Sequence, residues 1–377
     1  MNENLKNVKI SGIRKFYNEV QKVEGAISLT LGQPDFKLPV SIEEGLINAI
    51  KENKTTYTSN LGIFELREEI SKYLLNKDIS YETDEVCITV GGSEALFNIF
   101  TALLNKGDKV LIPTPAYPAY ESIVTILGGS VVNYSLDNEF KIDVEDIKRK
   151  IKGMNIKYLV LSLPSNPTGA ILSKEEKEQL VELIKENDIL VITDEIYESL
   201  CYYEYYSVAQ CRDIKDKVIY VGGFSKMFSM TGLRIGYYAC SQDLMNEIIK
   251  VHQYNVSCAP SICQWAVYNG LKYGLNDVIN MKEVFNNRKE LVVNKLKDIG
   301  LDVVMPKGAF YVFPSIKKFN IPTEEFALRL LHEEKVACVP GNAFGSGGEG
   351  YLRISYCYSD NDLIEALKRL ERFIAKL

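Results

Sequence analysis

Histidine and tryptophan are scarce, with two and one among 377 residues. His252 and His332 stand too far apart in sequence to suggest a metal site, so no metal is expected. A histidine-based triad has equally little to draw on. Eight cysteines are scattered without a CxxC pair. The opening MNENLKNVKISGIRKF is polar and lacks the apolar stretch of a signal peptide. A long chain of this kind reads as reduced and cytoplasmic. No apolar run approaches the roughly 18 residues of a membrane span. Acidic residues outnumber basic ones, 50 to 44, for a net charge of −6, which gives no reason to expect a nucleic-acid partner. There is no GxxxxGK(S/T), so no nucleotide P-loop is expected.

What is present is ordinary in bulk, 46% hydrophobic and 25% charged, as in a globular protein of two domains. Apolar runs rich in β-branched residues alternate with helical patterns. The runs are VCITV (86–90), KVLIP (109–113), KYLVLSLP (157–164), ILVITDE (189–195) and KVIYVGG (217–223). Between them lie SEALFNIFTALLNKG (93–107) and SKEEKEQLVELIKEND (173–188). The second opens with Ser173 and Glu176, the two partners of a capping box. Short strands that are apolar throughout, separated by helices, predict an α/β fold whose parallel sheet is covered on both faces. That sheet domain is expected over 46–285. Short strands and a final amphipathic helix, DNDLIEALKRLERFIAKL, predict a smaller α+β domain from 286–377 together with 1–45.

Several residues carry chemistry. Lys226 sits among small and apolar neighbours in GGFSKMFSMTGLRIGY, where burial favours the neutral amine that attacks carbonyls. A solvated lysine at a helix start is the plainer reading. Asp194, in VITDEIYESL, ends a buried strand, where ligands of open α/β sheets gather. It suits a protonated ring nitrogen, or simply a helix cap. Tyr197 stands three residues on, within reach of a phenolate-like oxygen. Asn166 lies in the turn LSLPSNPTGA at the same kind of strand end. TVGGSEALFNIF places Gly92 and Ser93 at a helix start, where backbone N–H groups bind phosphate. GSGGEG (345–350) fits GxGxxG but precedes a strand-like segment, so it is read as a loop. Tyr117 and Tyr120 follow a strand and can stack on a flat ring or merely pack. Arg353, inside the apolar YLRISY, needs an anion if buried.

Together, and in this order, the motifs resemble class I aminotransferases, pyridoxal-phosphate enzymes of fold type I. The resemblance runs from SLTLGQPDF (28–36) to YLRISY (351–356). It implies a large cofactor-binding domain with a mostly parallel, seven-stranded type of sheet between helices, and a smaller domain closing over the substrate. Lys226 matches the lysine that joins the cofactor through a Schiff base and shuttles the substrate proton. Asp194 matches the carboxylate on the pyridine nitrogen. Tyr197 and Asn166 match the donors to its O3′, and Tyr117 the aromatic stacked on the ring. Gly92 and Ser93 match the phosphate turn, and Arg234 the phosphate-binding arginine. Arg353 matches the clamp on the substrate α-carboxylate, and Gly32 a glycine that lets the N-terminal segment close. Tyr57 matches a tyrosine that reaches the other subunit's phosphate, implying a homodimer with shared sites. Relatives often carry a serine three residues before the lysine. Here that residue is Gly223, and Ser225 adjoins the lysine instead.

Within the family, SGIRKF (11–16), SLTLGQPDF and KVHQYNVSCA (250–259) look most like bacterial N-acetyl-L,L-diaminopimelate aminotransferases. That implies lysine biosynthesis, with glutamate and 2-oxoglutarate as the second pair in a ping-pong exchange. Aspartate and aromatic aminotransferases share the core motifs, and a carbon–sulfur β-lyase would keep the whole cofactor set. Arg14 is a candidate for a distal carboxylate. An aminotransferase-like regulator is disfavoured because the match begins within the first thirty residues and the chain is acidic. A Rossmann dehydrogenase is disfavoured by the missing strand–GxGxxG–helix unit.

Overall fold

A computed structural model describes residues 2–8 and 10–377. Seven strands form one sheet: β1 Val86–Thr89, β2 Lys109–Thr114, β3 Ser130–Ser135, β4 Ile156–Ser162, β5 Leu190–Asp194, β6 Val218–Gly223 and β7 Gly236–Ala239. Their order is β1-β7-β6-β5-β4-β2-β3. The central strands are buried almost throughout, as expected for a sheet covered on both faces. Strands β2 to β6 run parallel, whereas β7 is antiparallel to both β6 and β1. Antiparallel twice over, β1 points the same way as β6. The carboxyl ends of β1, β2, β4, β5 and β6 and the start of β7 therefore share one edge of the sheet.

Two strands lie outside the apolar runs picked out in the sequence. Ser130–Ser135 is the edge strand and shows polar side chains to solvent. It has one ladder neighbour and no need of a continuous apolar run. Gly236–Ala239 is only four residues long. A β-carbon on Gly236 would lie 2.6 Å from the carbonyl carbon of Gly91 and from the amide nitrogen of Gly92. Glycine at this point lets the turn after β1 press directly onto β7.

The helix Lys174–Glu186 begins at Ser173, and both capping-box bonds to Glu176 are made. The helix Gly91–Leu103 begins directly at the glycines that follow β1. Towards the ends of the chain the expected strands shrink to short ladders. Ile27–Ser28 pairs in parallel with Val336–Ala337, and Leu352–Ser355 pairs with Tyr311–Val312 and Val339–Pro340. The sequence around GSGGEG forms a short 3-10 turn at Ser346–Gly348, not a helix N-terminus. The helix Leu275–Asp298 is continuous through Phe285, so any division of the chain there runs through a helix and not a linker. Among the described residues no helix is long and apolar enough to cross a membrane.

Candidate active site

At the shared sheet edge lies a cavity of about 570 Å³. Each strand end contributes to it: β1 leads to Gly92 and Ser93, β2 to Tyr117, β4 to Asn166, β5 to Asp194 and β6 to Ser225 and Lys226, while Arg234 stands just before β7. The N-terminal segment adds Gly32 and Arg14, and the strand Leu352–Ser355 adds Arg353. Among the residues predicted for the site, Tyr57 alone stays out. It is 88% exposed and lines a separate surface cleft with Lys54 and Trp265.

Alternation along β5 separates two adjacent carboxylates. Asp194 turns into the cavity, where it accepts hydrogen bonds from the Tyr120 hydroxyl at 2.7 Å and the Ile196 amide at 3.2 Å. Thr193 and Glu195 face the other way, and Glu195 accepts hydrogen bonds from Thr193, Ser207 and Tyr205. Burial raises the Asp194 carboxyl above its ordinary range, against the two donors that favour its charged form. No cation pairs with it among the described residues. It is a buried carboxylate that a positive partner would stabilise.

Arg353 is the opposite case. It is only 2% exposed. One guanidinium nitrogen donates to Asn166 Oδ1 at 2.9 Å and the other to the Thr30 carbonyl. Its Nε has no partner. The guanidinium lies 4.5 Å from the Tyr311 ring centre and 4.8 Å from that of Phe344. No described carboxylate neutralises it, so the positive charge is held ready for an anion. Asn166 Oδ1 is engaged by this arginine, which leaves its amide NH2 for a second partner.

Lys226 Nζ donates to the Gly32 carbonyl at 2.6 Å. Burial pushes its amine down to about 8; Cys357 opposes this, and the weaker effects of the Arg234 and Arg353 charges add to it. Near neutral pH a usable fraction of the amine is therefore unprotonated. Arg234 adopts a left-handed backbone with φ of 57° and donates to the Thr231 carbonyl at 2.9 Å. Gly91 has φ of 73°, and a β-carbon there would stand 2.5 Å from Arg234 Nη2. The guanidinium thus lies against the first backbone of the helix, forming one anion-seeking pocket with it. A β-carbon on Gly223 already meets Ile196 Cδ1 at 2.4 Å, so a serine there would require Ile196 to move. Ser225 is buried and lines the cavity.

Two contributors carried no distinct sequence signal. Tyr120 holds Asp194, a role its sequence context does not mark; it meets the Tyr117 ring edge-on at 5.7 Å. Tyr311 lies in the apolar run GAFYVFP. Its hydroxyl is 2.8 Å from that of Tyr197, and its ring supports Arg353.

A buried acid without a cation, a buried arginine without an anion, a lysine whose proton is loosened by burial and a helix-start anion pocket surround one space. A phosphorylated pyridine aldehyde bearing an amino acid answers all four. The chain belongs to the aminotransferase class I and II family, whose model matches residues 24–370. A putative aminotransferase of Bacillus subtilis, YugH, is 42% identical, covering 100% of this chain and 98% of the relative. A probable N-acetyl-LL-diaminopimelate aminotransferase of the same organism is also 42% identical, covering 100% of this chain and 96% of its own. The solved aspartate aminotransferase of Thermus thermophilus with maleate superposes with a TM-score of 0.93 at 33% identity, covering 99% of each chain. This chain is an aminotransferase, and its cofactor is pyridoxal phosphate.

Proposed function

We propose that the enzyme exchanges an amino group between amino and 2-oxo acids that carry a second carboxylate, with N-acetyl-L,L-diaminopimelate and the glutamate/2-oxoglutarate pair as the first reading. The observation that carries this is a charge count. The cavity is lined by four cationic side chains, Arg14, Lys226, Arg234 and Arg353, against one carboxylate, Asp194. The phosphate answers Arg234 and the α-carboxylate answers Arg353. Arg14 is then left over, with no acidic partner among the described residues, facing the space where a substrate side chain would extend. A second carboxylate there supports dicarboxylic substrates. Maleate, named with the Thermus thermophilus relative, is itself a dicarboxylate. Aspartate is the second reading on the same observation.

When bound, pyridoxal phosphate supplies a carbonyl for the substrate amine and a protonated ring that takes up the electron pair left at Cα. The chain's own residues do the rest. Arg353 fixes the α-carboxylate, with Asn166 holding its guanidinium in place. Asp194 keeps the ring nitrogen protonated, and Tyr120 holds Asp194. Tyr197 and the free amide of Asn166 would hold the ring oxygen as donors, and Tyr117 would bind the flat ring. Gly92, Ser93, Ser225 and Arg234 enclose the phosphate. Lys226, freed when the substrate amine replaces it on the cofactor's carbonyl carbon, would take the Cα proton as base and return it as acid to the other carbon bonded to the substrate nitrogen. The exposure of Tyr57 fits a residue completed by a second subunit, and we read the working unit as a homodimer in which it reaches the neighbouring phosphate.

Visible absorbance of the purified enzyme tests the reading. The yellow form is expected to bleach to the pyridoxamine form with glutamate alone, releasing 2-oxoglutarate. The N-acetylated oxo acid, oxaloacetate and phenylpyruvate are then compared as acceptors. A yellow protein unmoved by glutamate and aspartate, but releasing pyruvate and ammonia from a cysteine conjugate, would replace the proposal with a β-lyase.

A further inference from the structure

Behind the phosphate turn lies a buried polar group that the reaction does not use. Glu94 sits in the first turn of the helix Gly91–Leu103 and is nearly inaccessible. One carboxylate oxygen accepts the backbone N–H of Val90, the residue just before the glycine turn. The other accepts Asn98 Nδ2 at 2.6 Å and lies 2.7 Å from His252 Nδ1. Asn255 in turn donates to Asn98 Oδ1 at 3.1 Å. His252 and Asn255 both come from the helix Gln242–Asn255. His252 is wholly buried, and its Nε2 has no partner. Nδ1 also lies 3.4 Å from Asn98 Nδ2, but the carboxylate oxygen is the nearer neighbour, and the Nδ1–H tautomer donates to it.

We propose that Glu94 and His252 are positioning residues for the phosphate-binding turn, one shell behind the groups that touch the cofactor. This rests on the reading of Gly92 and Ser93 as the phosphate cradle. The argument is geometric. A carboxylate at the start of a helix competes with a bound anion for the same positive end. Such a residue is disfavoured beside a phosphate unless its charge is spent elsewhere. Here three donors converge on it from behind the turn. The Val90 bond fixes where strand β1 stops and the helix begins. Asn98 and His252 fix the carboxylate itself against the neighbouring helix. The backbone N–H groups of the turn are thereby held at one orientation toward the cavity. Glutamine at 94 cannot do this, because its NH2 would face donors on one side or the other.

The test separates phosphate positioning from simple packing. Cofactor-free wild type, Glu94→Gln and His252→Gln are titrated with pyridoxal phosphate and with pyridoxal, which lacks the phosphate. Both variants are expected to bind pyridoxal phosphate roughly tenfold or more weakly, with pyridoxal binding unchanged. Equal weakening of both ligands, or no weakening of either, overturns the proposal. If Glu94→Gln does not fold, His252→Gln decides by the same comparison. Arg234→Gln separates the two layers of the argument. If it too leaves the preference for pyridoxal phosphate over pyridoxal intact, the phosphate cradle is misplaced and the proposal falls with it. If Arg234→Gln lowers that preference and the two variants do not, only the positioning role fails.

Discussion

A β-carbon on Gly32 would stand 1.8 Å from the hydroxyl oxygen of Tyr311. The two residues belong to distant parts of the chain, yet the absence of a side chain at 32 is what leaves room for the Tyr311 hydroxyl. Tyr311 shares a hydrogen bond with Tyr197 and lies under Arg353, so Gly32 limits the positions of both.

Gly32→Ala should therefore act on catalysis more than on folding. The added methyl displaces the Tyr311 hydroxyl, and with it Tyr197 and Arg353. We expect kcat/KM for glutamate to fall roughly tenfold or more, the scale of a loss of about 1.4 kcal/mol, while Tm changes by only a few degrees. Steady-state kinetics beside thermal unfolding checks this. A large fall in Tm with intact kcat/KM would count against it.

Arg353→Lys tests the unpaired guanidinium. Lysine keeps the charge but loses the fork that matches a carboxylate and the contact with Asn166. KM for amino acids should rise roughly a hundredfold. Amines lacking the α-carboxylate should react with variant and wild type alike. The half-reaction rates for glutamate and for a plain primary amine give the comparison.

Lys226 sets a pH dependence in the cofactor-free protein. Its amine is lowered to about 8 from an ordinary 10.5, so the folded state holds this proton less tightly than the unfolded chain. The cost of the charged form is present in full below about 8 and is relieved as pH rises from about 8 to 10.5. In this window wild type should gain stability relative to Lys226→Met, by at most about 1.4 kcal/mol per pH unit. Urea unfolding of both proteins at several pH values measures the difference. A constant difference across the window would exclude the lowered amine.

Arg14→Ala should discriminate among substrates. KM for glutamate and aspartate should rise roughly tenfold, as for loss of one charge-assisted contact, with alanine little affected. An equal change for all three amino acids would remove Arg14 from the distal subsite.

Much of the site was legible because its chemistry is local. The turn SNPTGA, the strand end at Asp194 and the lysine block each announce themselves over a few residues. The capping box at Ser173 was readable for the same reason. Strand β3 was not, since an edge strand needs no continuous apolar run. Tyr311 was not, since a tyrosine between phenylalanine and valine looks like any core residue. Tyr57 shows the limit from the other side. Its motif was recognisable, but within one chain it stays at the surface, and our proposal that it meets a group of a second subunit goes beyond what one chain can hold.

By itself the sequence determined the alternation of strand and helix, a lysine set among small and apolar neighbours, and the set of residue types that a phosphorylated pyridine cofactor requires. Only the tertiary structure decided which groups meet: Arg353 with Asn166 across 187 positions, Lys226 with the Gly32 carbonyl across 194, Glu94 with His252 across 158. Local patterning follows from backbone periodicity and burial, which act over a few residues. Encounters across such separations depend on strand order and on how the chain ends return to one sheet edge, and no short stretch of sequence carries that information.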